Sequence, residues 1–175
     1  SVGSLVGTSV PGAAKIAGTS KFPTLAEQHK NFIGSSISGG RDFNLMLKSL
    51  GYEHLIITGK SDRPVYISIL DGEVEINEAE DLWGKDTEIT SILLKRRHGN
   101  EIGCLSIGEA GENLVRYAIA IVDMTNSLGR NGLGAVFGSK KLKAIVVKGN
   151  KNVPLVDQER FDKYIHNVEK KISEW

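Results

Sequence analysis

The chain contains a single cysteine, Cys104, among 175 residues. That excludes a disulfide framework, a zinc site of paired cysteines, and a cysteine-ligated iron–sulfur cluster held by these residues alone. Charge of one sign is missing as well: 22 Lys+Arg face 21 Asp+Glu, a net charge of +1. There is thus no electrostatic case for nucleic acid or an anionic membrane surface as a partner. No apolar run approaches the roughly 20 residues of a membrane helix, and no signal peptide is visible. A cytoplasmic protein is expected. His29, His54, His98 and His166 are scattered, none in a metal-ligand spacing such as HExxH. No Ser/His/Asp arrangement is visible, and Ser38 and Ser139 read as turn residues beside glycines. The sequence holds no self-contained catalytic constellation.

What it has in excess is glycine, 20 residues of 175, above the usual ~7 per cent. With 40% hydrophobic and 25% charged residues, the composition is that of one globular domain able to bury a core. Both ends read as cut. S-V-G-S-L-V-G-T-S resembles the middle of a strand and turn. An amphipathic helix opens at the N-cap Asp157, with Phe161, Ile165, Val168 and Ile172 on one face, and reaches Trp175 without a stop signal. A piece of a longer protein is expected; a short protein with a frayed terminal helix is the alternative.

Residues 1–36 read as loops with short strands. Gly40 to Leu50 predicts a helix burying Phe43, Met46, Leu47 and Leu50, stopped by Gly51. His54 to Thr58 and Val65 to Leu70 read as strands, and Asp71-Gly72 as a hairpin turn returning through Glu73 to Ile76. Asp86 opens a second helix carrying Ile89, Ile92 and Leu93, with Arg96, Arg97 and His98 before Gly99. Cys104 to Ile107 predicts a strand, Leu114 to Val122 a strand or short helix, and Lys143 to Val147 a strand after a glycine-dense loop.

At a constant offset of 90, Gly39 falls on Gly129, Phe43 on Leu133, Ser49 on Ser139, Ile56 on Val146, Gly59 on Gly149 and Pro64 on Pro154. Both stretches read glycine loop, apolar segment, apolar strand, glycine turn, X-Pro. This predicts an α+β fold with a few helices and two β-sheets related by an internal pseudo-two-fold repeat, whose glycine loops meet near the axis and suit a large symmetric ligand. Chance similarity of two glycine-rich stretches is the alternative.

The loop G-R-N-G-L-G-A-V-F-G-S-K-K from Gly129 to Lys141 invites a nucleotide reading and fails it on spacing. Ser139 intervenes between Gly138 and Lys140, against the P-loop pattern. Gly132, Gly134 and Gly138 give G-x-G-x-x-x-G, not the dinucleotide fingerprint. The glycines permit close backbone approach and Arg130 can pair with phosphate; a ligand-cradling loop and tight packing between repeats both remain open. Cys104 reads as a buried small hydrophobe. Glu109 and Glu112 offer a carboxylate pair, although a turn bonded by Glu112 or Asn113 is the plainer reading. Lys140, Lys141 and Lys143 read as a solvated loop, with no interleaved aromatics to mark nucleic acid.

The segments G-T-S-V-P, S-G-G, G-Y-E-H-L-I-I-T-G-K-S-D-R-P-V-Y, D-L-W-G-K-D-T, I-G-E-A-G-E-N-L-V-R and G-R-N-G-L-G-A-V-F-G-S-K-K-L-K-A-I-V-V-K-G closely resemble the N-terminal domain of the aldehyde ferredoxin oxidoreductase family, from Gly7 to about Pro154. The resemblance implies the first domain of a tungsten, sometimes molybdenum, oxidoreductase, on which a bis-pyranopterin (molybdopterin-type) cofactor sits. It implies residues 1–155 as the pterin-binding domain, incomplete at its start, and 156–175 as a helix leading into a following domain.

Carried over by position, the family's pterin contacts fall at Lys15, where the family typically has Arg, and at Ile37, Ser38 and Gly39. They continue at Asn126, often Arg in the family, and at Ser127, Leu128, Gly129 and Arg130. The magnesium bridging the pterin phosphates would take the main-chain carbonyls of Ile37 and Ser127, which are repeat equivalents. Lys15 keeps charge without arginine's bidentate fork, and Asn126 keeps neither. The stretch Lys21 to Phe32 also departs from the family's usual sequence. The resemblance further implies oxidation of aldehydes to carboxylic acids in an anaerobic setting, with electron transfer through a [4Fe–4S] cluster to ferredoxin. The cluster's cysteines and the acid/base residues belong to missing domains, so the fragment alone is not expected to be active. A homodimer is allowed. The departures raise two alternatives, a same-family enzyme such as an aryl-CoA reductase and a non-catalytic scaffold.

Overall fold

The computed structural model describes residues 1–24, 33–149 and 153–175; most of the divergent stretch Lys21 to Phe32, and His29 within it, lie outside these. The fold is α+β. An antiparallel ribbon pairs β1 (Lys15–Lys21) with β2 (Ile33–Gly39), followed by α1 (Asp42–Ser49). The rest of the chain supplies β3 (Val65–Leu70), β4 (Glu73–Glu78), α2 (Thr87–His98), β5 (Gly103–Ser106), α3 (Glu109–Glu112), β6 (Ala120–Val122), β7 (Asn126–Leu128), α4 (Leu133–Ser139), β8 (Leu142–Lys148) and α5 (Gln158–Ser173). The second sheet has six strands in the order β4-β3-β8-β5-β6-β7, with β3 and β8 parallel and the other neighbours antiparallel.

Local chemistry explains the element ends. Gly51 adopts φ +86° after α1, Tyr52 N–H donates to Leu47 O (3.2 Å) and Gly51 N–H to Lys48 O (2.9 Å), a Schellman stop. Asp71 and Gly72, at φ +52° and +100°, form the left-handed pair that a two-residue hairpin loop requires. Asp86 accepts from Ile89 N–H at 2.7 Å and Asp157 from Arg160 N–H at 2.9 Å, caps worth about 1 kcal/mol each.

The central strand β8 is buried on both faces. Leu142, Ile145 and Val147 face Phe43, Leu47, Leu133 and Phe137 of α1 and α4 beneath the ribbon. Ala144 and Val146 face Leu82, Leu94 and Ile102 on the α2 side. The alternation breaks between Leu142 and Ala144 because the β3–β8 register shifts there, leaving Lys143 as a bulge residue.

Several expectations are corrected. His54 to Thr58 joins no sheet: Leu55 and Ile57 pack on the core while Ile56 is exposed, and the chain beyond is tied to the end of α4 by Lys140 Nζ donating to Gly59 O and Ser61 N–H donating to Lys140 O. In α2 the buried residues are Thr90, Ser91 and Leu94, whereas Ile89 and Ile92 are exposed. Of Leu114 to Val122 only Ala120–Val122 is strand. The glycine-dense stretch contains α4, whose glycines let it pack closely: a Cβ on Gly138 would overlap Gly111 O, and one on Gly134 would stand 2.5 Å from Ile119 O. In α5, Ile165 is buried but Ile172 is exposed. The two β-sheets expected are present, one of two strands and one of six.

Candidate functional site

The ribbon and the six-stranded sheet meet where β2 runs alongside β7. Each strand is bonded into its sheet along one edge only, and the two form no ladder with each other. Their facing backbones are held together by side chains instead. Ser36 Oγ donates to Gly129 O at 2.5 Å, Asn131 Nδ2 to Ser35 O at 3.3 Å, and Thr24 Oγ1 to Asn131 O at 3.0 Å. Arg130, Asn131 and Gly132 follow β7 in left-handed conformation (φ +57°, +56° and +89°). Consecutive left-handed residues turn the chain sharply, and here the donors from β2 and Thr24 fix the turn.

All nine positions singled out in the sequence lie in this region. Lys15 is exposed and pairs with Gly39 across the ribbon, as Ile16 pairs with Ser38 and Ala17 with Ile37. Ile37 is 68% exposed and Ser38 is buried. A Cβ on Gly39 would stand 2.9 Å from Asn126 Oδ1, so the β2 and β7 segments are in direct contact. Ser127 is exposed and Arg130 is exposed beyond it, while Gly129 is half-buried. Leu128 is buried in the core, which leaves only its backbone for any ligand.

Two observations bear on what this place could hold. The half-buried Gly39 and Gly129 carry no side chain of their own, and the two segments bear exposed cations at Lys15, paired with Gly39, and at Arg130. Beneath the segment, buried Asn44 donates through Nδ2 to Gly40 O (3.0 Å) and Ala14 O (3.4 Å), and its Oδ1 has no partner. The α4 glycines, Gly134 and Gly138, serve packing, whereas at Gly129 of the same loop an added Cβ would meet only Ser127 Oγ, at 3.7 Å.

Two features escaped the sequence. Lys143, read as a solvated loop residue, is fully buried and pairs with Glu112, which also accepts from Gly84 N–H at 2.8 Å; Lys143 Nζ further donates to Lys85 O at 2.6 Å. Burial pushes the Lys143 ammonium below its ordinary range and Glu112 pulls it back. The second is Asp123, in the turn between β6 and β7, whose carboxylate receives backbone N–H groups from α1 and β5. Cys104 is buried as expected, and burial pushes its thiol up to about 11. Among the described residues no three His, Cys, Asp or Glu side chains cluster to hold a metal, and no helix is long and apolar enough to cross a membrane.

A family model for the aldehyde ferredoxin oxidoreductase N-terminal domain matches residues 1–149. The chain is 43% identical over 160 residues to the tungsten-containing aldehyde ferredoxin oxidoreductase of Thermococcus kodakarensis, covering 91% of this chain and 26% of that protein. It is 37% identical over 142 residues to an aliphatic sulfonate oxidoreductase, WOR-like subunit, of Pyrococcus furiosus, covering 73% of this chain and 22% of that one. Among solved structures, the active-site complex BamBC of benzoyl coenzyme A reductase with 1,5-dienoyl-CoA superimposes with a TM-score of 0.90 at 32% identity, covering 97% of this chain and 25% of that one. The chain thus spans about a quarter of the length of these relatives.

Proposed function

We propose that this chain, which belongs to the aldehyde ferredoxin oxidoreductase family, holds the pterin cofactor of a tungsten oxidoreductase. The observation that carries the reading is the contact between β2 and β7, which brings the two repeat-equivalent segments, 37–39 and 126–130, to one place. Internal duplication about a pseudo-two-fold axis is part of the proposal. It is supported by α1 and α4, and by β2 and β7, recurring at about the same 90-residue offset.

In this reading the residues bind and orient. The carbonyls of Ile37 and Ser127 would hold the magnesium ion that accompanies the pterin phosphates, a role in which side-chain identity matters little. Lys15 acts as a point charge and Arg130 as a planar fork toward the phosphates. Ser38, Gly39, Asn126, Leu128 and Gly129 line the pterins, Leu128 through its backbone. The bound metal, tungsten or molybdenum, supplies the redox chemistry that takes an aldehyde to a carboxylic acid. The [4Fe–4S] cluster, the acid/base residues and the docking of ferredoxin belong to the remaining three quarters of the enzyme, in a cytoplasmic, anaerobic setting and with a homodimer allowed. Residues 1–155 form the cofactor domain, and the helix from Asp157 leads onward.

A second reading, a same-family enzyme acting on an aryl-CoA thioester, is favoured by the match to the benzoyl coenzyme A reductase complex. Both readings place a pterin here. The test is elemental analysis for tungsten, molybdenum, iron and magnesium with a pterin fluorescence assay, on full-length protein purified without oxygen. About two pterins and one tungsten per chain are expected. A folded full-length protein with neither would leave a scaffold.

A further inference from the structure

The first turn of α1 has no side-chain cap of its own, because its N-cap position holds Arg41. The missing acceptor comes from a distant part of the chain. Asp123 Oδ2 accepts from Arg41 N–H (3.2 Å) and Phe43 N–H (3.1 Å), and Oδ1 accepts from Cys104 N–H (3.1 Å) on β5. Asp123 N–H in turn donates to Cys104 O at 2.8 Å. Asp123 and Met124, at φ +50° and +60°, form a tight turn closed by Thr125 N–H on Val122 O at 3.2 Å. Aspartate, asparagine and glycine are the residues such a turn favours. The carboxylate, however, reaches out of the turn to backbone N–H groups of Arg41, Phe43 and Cys104.

The carboxylate and its partners on α1 lie within a few residues, along the chain, of the two segments that meet at β2 and β7. Asp42, the first residue of α1, comes three residues after Gly39, and Asn126 comes three after Asp123. Asn44 braces the same corner by holding Ala14 O and Gly40 O together, next to Lys15 and Gly39. Burial pushes the Asp123 carboxyl above its usual range, against the pull of the three backbone N–H groups.

We propose that Asp123 is a positioning residue that sets the spacing between segments 37–39 and 126–130 by tying the start of α1, β5 and the β6–β7 turn to one carboxylate. The inference rests on the cofactor reading above, in that the spacing it sets is the one that admits the pterins.

The test uses full-length protein expressed with tungstate and purified without oxygen. D123G suits the left-handed backbone and removes only the carboxylate. M124G relieves the same turn while keeping it, and E112Q destabilises a distant buried pair. Two quantities are read: tungsten and pterin per chain, and hydrogen exchange of the metal-free protein over 37–43 and 126–130. D123G is expected to lose cofactor at least about tenfold and to exchange faster in both segments, whereas M124G and E112Q retain the parent's content. Parental cofactor content in D123G overturns the proposal. So does faster exchange confined to 41–43, or an equal loss in E112Q. Should D123G not fold, D123N, which keeps the shape without the charge, is judged by the same two readings. A parent that holds no tungsten or pterin defeats the cofactor reading instead, and the exchange data still decide whether Asp123 couples the segments.

Discussion

Gly39 and Asn126 stand edge to edge, so that a Cβ on Gly39 would lie 2.9 Å from Asn126 Oδ1. The obstacle is the tip of a half-buried side chain whose Nδ2 donates to its neighbour Thr125 Oγ1, and such a tip can move. Gly39→Ala is therefore expected to cost less than about 1 kcal/mol of stability and yet to lower pterin content, since it fills the contact between the two segments. Thermal unfolding together with the pterin assay separates the two effects.

A different outcome is expected at Gly103. A Cβ there would overlap the backbone of Phe43, with Asp42 behind it, and backbone cannot step aside as a side-chain tip can. Gly103→Ala is expected to cost about 3 kcal/mol or more and to push the start of α1 off β5. The midpoint of denaturant unfolding reads this; an unchanged midpoint would mean that α1 does not sit against β5 so closely.

These two glycines show what the sequence could disclose. Turn and cap chemistry was legible because it is local: Asp71-Gly72, Gly51, Asp86 and Asp157 each act on backbone within a few residues. The 90-residue spacing led to the expectation that the two glycine loops meet, and β2 does contact β7. The helix at Leu133–Ser139 was hidden because its glycines, poor helix formers, are required by close packing on Gly111 and Ile119. Lys143 was misread because one residue of bulge turns a strand position toward the buried Glu112. Asp123 carried no sequence signal at all, since its partners lie 19 and about 80 residues away.

The Lys143–Glu112 pair is buried on both sides, at 0% and 4% side-chain exposure. Removing one partner leaves a buried charge without its counterion, so E112Q is expected to cost about 3–5 kcal/mol. Replacing both residues together, as Lys143→Met with Glu112→Leu, is expected to cost less than either single change, which a double-mutant cycle reads directly.

Cys104 makes stability depend on alkaline pH. Burial, partly opposed by hydrogen bonding to Ser91 and Ser106, raises its thiol from 9.0 to about 11. A pKa raised on folding gives stability that is present below the unfolded value and lost as pH climbs through the folded one. The stability difference between the parent and Cys104→Ala should therefore shrink by about 2 kcal/mol from pH 9 to 11. The same burial should keep the thiol from alkylating at pH 8 unless the chain is unfolded.

The central claim is that segments 37–39 and 126–130 are two halves of one cofactor clamp. A crystal structure of the full-length protein, purified without oxygen and measured across the tungsten absorption edge, tests it most directly. The prediction is a pterin phosphate on each segment and one magnesium ion between the carbonyls of Ile37 and Ser127. Tungsten and pterins seated elsewhere, with both segments facing solvent, would contradict it.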